Sequence, residues 1–354
     1  MIHEQSGVAL PQRAAHSLER RASGLALDYG MALLGLWFLG GLYLDGWAHS
    51  HGKVDQSFFT PWHAVFYSGF LAIGLLTALA ALRAMLRGAH WTRALPQGYM
   101  ITLVAAPAFA LAGVGDLLWH ERFGIERGIE ALLSPTHLAL ACSMGLIVAG
   151  PLRAAWHRSG ERRIGWIAFA PAALGLISLT GVMAFMTQFA QPAVYLLAQE
   201  MSYDESTIAL GVCSIVLQSA ILWGPVLLAL RRWRLPFGAL TLIVGANTAL
   251  LSVIDDSFQL IPAAIAAGLA ADVLLLLLRP GPGRWWALRL CGALFPAIFT
   301  LLYFLTLHQR GGVFWSIHLW GGSVVLASLS GLLLSYLAAP AAAHTSHCND
   351  LGAE

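Results

Sequence analysis

Ten apolar runs, each about the length of a bilayer-spanning helix, divide this sequence from end to end. They lie near 28–47, 62–83, 99–119, 135–155, 165–188, 207–229, 236–254, 260–278, 287–307 and 315–337. A span needs roughly 20 residues at about 1.5 Å rise per residue. Backbone polar groups have no water partner in hydrocarbon, so such runs must satisfy their own hydrogen bonds as helices. With 58% hydrophobic residues, the chain carries more apolar surface than a soluble core can bury. The expected fold class is therefore all-α: a polytopic transmembrane helix bundle of ten spans in five hairpins, occupying 28–337.

Charge placement sets an expected orientation. Sixteen of the 20 Lys+Arg fall in the N-terminal tail or at the even-numbered connections, and only Lys53, Arg122, Arg127 and Arg310 fall at the odd ones. The positive-inside rule then places both termini in the cytoplasm of a plasma (inner) membrane protein. Residues 1–27 and 338–354 become cytoplasmic tails. The Arg clusters flank spans, so they read as topology signals and lipid-headgroup contacts, and no nucleic-acid partner is expected. The first span follows about 27 residues that include Arg and Glu and itself contains Asp45, which reads as a retained helix. Cys142, Cys213, Cys291 and Cys348 have no CxxC spacing and read as packing residues.

Within this apolar background one polar motif occurs twice. Asp45-Gly-Trp-Ala-His49 is followed by Thr60-Pro61-Trp62-His63, and Asp116-Leu-Leu-Trp-His120 by Ser134-Pro135-Thr136-His137. The copies lie in hairpins 28–83 and 99–155, which makes them an internal parallel repeat. On a helix, i and i+4 share one face, so each Asp points with its following His. Thr60 and Ser134 suit an N-cap, and Pro61 and Pro135 suit the first helical position. That puts His63 and His137 in the first turn of the returning helix. Each hairpin should thus gather one carboxylate and two imidazoles, a ligand set used by iron(II), catalytic zinc and some copper sites.

Helix dipoles sharpen this expectation. Asp45 and Asp116 sit at helix C-termini, where a carboxylate is disfavoured by about 0.3–1 kcal/mol, and His63 and His137 sit at N-termini, where an imidazolium is disfavoured. A bound cation reconciles both. The competing reading is a protonated His49 or His120 paired with its own Asp.

Other polar residues on the same side could complete or tune such a site: His51, Asp255, Asp256, His308 and His318. Asp272 is a lone carboxylate deep in the eighth run, either a proton-relay group or a hydrogen-bonded packing residue. Asn247 and Gln218 read as interhelical hydrogen-bonding residues.

The pattern Asp-x3-His with a further His after about a dozen residues, at a junction of membrane helices, resembles the copper-binding pattern in the C subunit of particulate methane and ammonia monooxygenases. Asp45, His49 and His63 carry the resemblance best, with thirteen residues between the two histidines; the second copy has sixteen. It covers about twenty residues of each hairpin and implies copper and oxygen chemistry. The sequence reading is thus a membrane metalloprotein with one or two transition-metal ions, copper or iron ahead of zinc. Its site would face the outside or periplasm, and it would act as an oxygen-activating oxidoreductase on a small or lipid-soluble substrate. Two rival readings remain open: a metal (copper) permease or handling protein, and a zinc-dependent membrane hydrolase using Glu121, Glu126 or Glu130 as general base.

Overall fold

The computed structural model describes residues 12–53, 59–126, 128–158, 162–201, 204–281 and 283–338, with side chains of the first helix from residue 24 onward. The odd-side cation Arg127, residues 1–11 of the expected N-terminal tail and residues 339–354 of the C-terminal one lie outside these residues, whereas 12–27 already belong to the first helix. Among the described residues the chain is helical throughout. Its α-helices are α1 (Gln12–Ser50), α2 (Pro61–Leu86), α3 (Met100–Phe123), the five-residue α4 (Ile129–Leu133), α5 (Pro135–Val148) and α6 (Gly150–His157). They continue as α7 (Trp166–Met186), α8 (Glu205–Arg232), α9 (Ala239–Ile254), α10 (Ile261–Leu278), α11 (Trp285–Arg310) and α12 (Ile317–Ala338).

Nine helical segments among the described residues are long and apolar enough to cross a membrane, with α5 and α6 together forming one of them. The tenth expected span is shorter than its apolar run. Helix α9 has only 16 residues, or about 24 Å at the helical rise, less than the roughly 30 Å of hydrocarbon. Local chemistry explains the late start. Pro236 interrupts the run, and Gly238 adopts a left-handed φ of +88° that only glycine takes without strain. Asp272 then caps the helix from a neighbouring element: its carboxylate accepts from the backbone N–H of Leu240 at 3.1 Å and of Thr241 at 2.9 Å, and from the Thr241 hydroxyl at 2.7 Å. The lone intramembrane carboxylate is therefore a helix cap.

The first two helix pairs are tight, α1 on α2 and α3 on α5. Gly41 and Gly69 make the first crossing close. A Cβ at Gly41 would lie 2.6 Å from the Phe66 Cα, and one at Gly69 would lie 2.7 Å from the Phe38 Cα. An aromatic layer then joins the pairs, with Phe38 and Phe66 ring centroids 5.0 Å apart and Phe70 and Phe109 4.5 Å apart. The expected third pair is the exception. α7 packs chiefly on α1, α6 and α9, while α8 packs on α12. At the far end of α1, buried Asp28 accepts from the Tyr99 hydroxyl at 2.7 Å and pairs with Arg158, tying α1 to the start of α3 and the end of α6.

Candidate metal centre

Both copies of the motif close into the same local arrangement. The Thr60 hydroxyl accepts from the His63 backbone N–H at 3.1 Å, and the Ser134 hydroxyl from that of His137 at 3.5 Å. Each Ser/Thr-Pro cap therefore starts its helix so that the following His lies one turn in, across from the C-terminal turn of the preceding helix. Asp45 Oδ2 lies 3.4 Å from His63 Nε2 and 3.8 Å from His49 Nε2. Asp116 lies 3.5 Å from His120 Nε2 and 3.6 Å from His137 Nε2.

In each triad one ligand atom per residue falls within 4.8 Å of the others, so either group could hold a metal ion. Adjacent donors around a metal with bonds of about 2.1 Å sit roughly 3–3.5 Å apart, so small side-chain shifts would suffice. The carboxylates also fit the role. Asp45 Oδ1 and Asp116 Oδ1 are buried without a hydrogen-bond partner among the described residues. A buried carboxylate oxygen left in that state is costly unless a cation compensates it.

The triads are neighbours. Asp45 interacts electrostatically with His137, His49 with His120, and His137 with His63. Tyr67 lies between them, one helical turn beyond His63, with ring centroids 6.3 Å apart. The charges of both Asp45 and Asp116 reach it. Gly113 on α3 makes room for this phenol, since a Cβ there would sit 3.0 Å from the Tyr67 hydroxyl. Tyr67 was legible in principle as the i+4 partner of His63, but the sequence alone does not show that α3 presents a glycine to it.

Two further residues brace the second triad. Glu126 Oε2 lies 2.9 Å from His120 Nδ1, and the Ser134 hydroxyl lies 2.6 Å from His137 Nδ1. The His120 Nδ1 also reaches the Gly124 carbonyl at 3.4 Å, so this ring is held by its own connection as well as by the carboxylates.

The remaining candidates do not join either triad. His51 uses both ring nitrogens elsewhere, Nδ1 against the Trp47 carbonyl at 2.9 Å and Nε2 against Asp256 at 3.3 Å. These contacts, the Trp47 carbonyl first, hold its pKa above the usual histidine value. Asp255 is exposed in the same turn, its pKa pushed up by partial burial and by Asp256. His308 ends α11 and His318 opens α12; both are exposed and belong to neither cluster. Asp272 is committed to capping α9.

Comparison of the chain with known protein families, with curated proteins and with solved structures finds no match. The functional argument therefore rests on the geometry of the site.

Proposed function

We propose that this chain is a multi-pass membrane metalloprotein whose paired triads hold one or two transition-metal ions for oxidation of a small or lipid-soluble substrate at the outer membrane face. The observation that carries this reading is His120 held between two carboxylates, Glu126 at 2.9 Å and Asp116 at 3.5 Å, in a triad electrostatically linked to a second copy of itself. Copper or iron bound by such a ligand set would supply redox chemistry with oxygen, whereas zinc would act only as a Lewis acid. The resemblance to the monooxygenase C subunit favours copper.

The chain's own residues have separable roles. Asp45 and Asp116 supply the negative charge. His49, His63, His120 and His137 supply neutral nitrogen ligands. Glu126 and Ser134 orient two of the rings, as outer partners of metal-bound histidines do. The observed polar contacts weigh against the permease reading. Asp272 is occupied by the α9 N-terminus, and Asn247 donates to the Ile243 carbonyl at 2.9 Å while accepting from Thr180 at 3.1 Å. Asp272 and Asn247, the two deep residues that reading would need, are thus engaged in structural hydrogen bonds.

Elemental analysis of protein purified without chelator tests the reading. We expect one or two equivalents of a transition metal, with copper or iron dominant, and a loss of metal in His63→Ala and His137→Ala variants that keep their helical content. Equal trace metal in all three proteins would leave the triads as interfacial hydrogen bonds only. A cysteine placed at Lys53 tests the side of the membrane. Labelling by an impermeant thiol reagent in intact cells is expected, and labelling only after lysis would put the site on the opposite face.

A further inference from the structure

Two adjoining cavities border α8 and α11; α7, α9 and α10 line only the smaller, and Ile129 and Trp315 only the larger. The smaller has a volume of about 70 Å³ and the larger about 210 Å³. They share Gln191, Pro192, Ile215 and Tyr303 as walls. The larger volume exceeds the roughly 150 Å³ that accommodates benzene in an apolar protein cavity. No ionisable acid or base lines either space apart from the Tyr195 and Tyr303 phenols, so a charged occupant has no counter-ion. The Tyr303 phenol is engaged, donating to the Pro192 carbonyl at 2.9 Å.

The wall of the smaller cavity carries three buried hydroxyls. Ser219, Thr248 and Thr300 project from three different helices and are buried, at 5%, 5% and 3% exposure. A hydroxyl in an apolar helix normally donates to a carbonyl three or four residues back. Ser214, Thr306 and Ser323 do so. Ser219, Thr248 and Thr300 have no hydrogen-bond partner for their hydroxyls among the described residues. Nearby amides are already engaged: Gln191 donates to Gln218 at 2.6 Å, and Gln218 donates to the Ala190 carbonyl at 3.0 Å. The wall is thus fixed, and three hydroxyl donors are left to serve an occupant.

We propose that these cavities bind a small, neutral, lipid-soluble carbonyl compound. Its apolar body fills the larger cavity beside Trp315, and its carbonyl oxygen accepts from the Ser219, Thr248 and Thr300 hydroxyls. The larger cavity also touches Ile129. That residue opens α4, in the connection between His120 and His137, so an occupant would lie against the segment that carries the second triad. The binding claim itself is independent of any metal.

Photolabelling with benzophenone, itself an apolar ketone, tests it on chelator-treated full-length protein in nanodiscs. Label is expected on cavity residues such as Leu222 and Tyr303. It should be suppressed by 9-fluorenone or 1,4-naphthoquinone, and several-fold less by fluorene or naphthalene at equal membrane concentration. Stronger suppression by the naphthoquinone would assign a quinone ring, and stronger suppression by the fluorenone a simple ketone. Thr300→Val alone should weaken the carbonyl competitors by about fivefold, the worth of one ordinary hydrogen bond. The shape-conserving triple variant Ser219→Ala/Thr248→Val/Thr300→Val should abolish the carbonyl preference. Label confined to lipid-facing residues, or equal competition by the oxygen-free hydrocarbons, would overturn the proposal and leave water as the partner of these hydroxyls.

Discussion

The first and second triads use the same three residue types in the same order, yet they sit in different surroundings. In the first, His49 leaves 42% of its side chain exposed and Asp45 14%; in the second, His120 leaves 11% and Asp116 only 3%. The difference arises in the connections. Between α3 and α5 the chain forms α4, buries Leu132, and brings Glu126 onto His120. Between α1 and α2 the described part of the connection sends His51 outward to Asp256. A ligand set in a drier environment interacts more strongly with a cation, and outer partners on the imidazoles add orientation and basicity. One motif, copied along a chain, thus yields a buried ligand set in one copy and a more exposed one in the other.

The largest effect that would break this comparison is expected at Asp116. Asp116→Asn should remove the metal equivalent that survives dialysis against chelator, whereas Asp45→Asn should remove only the equivalent that chelator strips. Metal content before and after dialysis measures both. Equal retention by the two variants would mean that the triads act as one shared site.

Next in size is the brace on His120. Glu126→Gln should weaken metal binding at the second triad by about 10–100-fold, the usual cost of losing an outer partner, with the first triad unaffected. Competition titration with a chromophoric chelator reads this directly. A uniform loss at both triads would point to a fold defect.

A smaller effect is expected from the residue between the triads. Tyr67→Phe should leave metal content unchanged but alter the spectra of ions in both triads in copper-loaded protein. A change at one triad only would assign Tyr67 to that side. Gly113→Ala should displace the phenol and destabilise the bundle by about 1–3 kcal/mol, the ordinary cost of an added methyl in a packed interior.

The smallest effect belongs to the exposed tether of the first connection. The His51 pKa is raised above 6.5 by the Trp47 carbonyl and by Asp256. Its contribution is therefore fully present below about pH 6.5 and is lost as pH rises through the raised folded value. Asp256→Asn should lower the His51 titration midpoint in an NMR pH series, and an unchanged midpoint would show that the Trp47 carbonyl alone raises it.

Sequence alone determined the parts of this protein that depend on short-range regularity. Apolar runs of span length dictate helices because lipid leaves no other partner for the backbone. Asp45 with His49, and Asp116 with His120, share a face because i and i+4 always do, and Thr60-Pro61 and Ser134-Pro135 start helices because cap chemistry is local. Only the tertiary structure decided what depends on contacts between distant segments. It brought Asp272, some thirty residues along the chain, to the start of α9 as the cap of Leu240 and Thr241. It left His308 and His318 away from the triads, and it put Tyr67 beside Gly113. It also made the second triad the drier of the two. Burial and outer-sphere partners depend on how connections fold back over a site, and identical motifs carry no record of that.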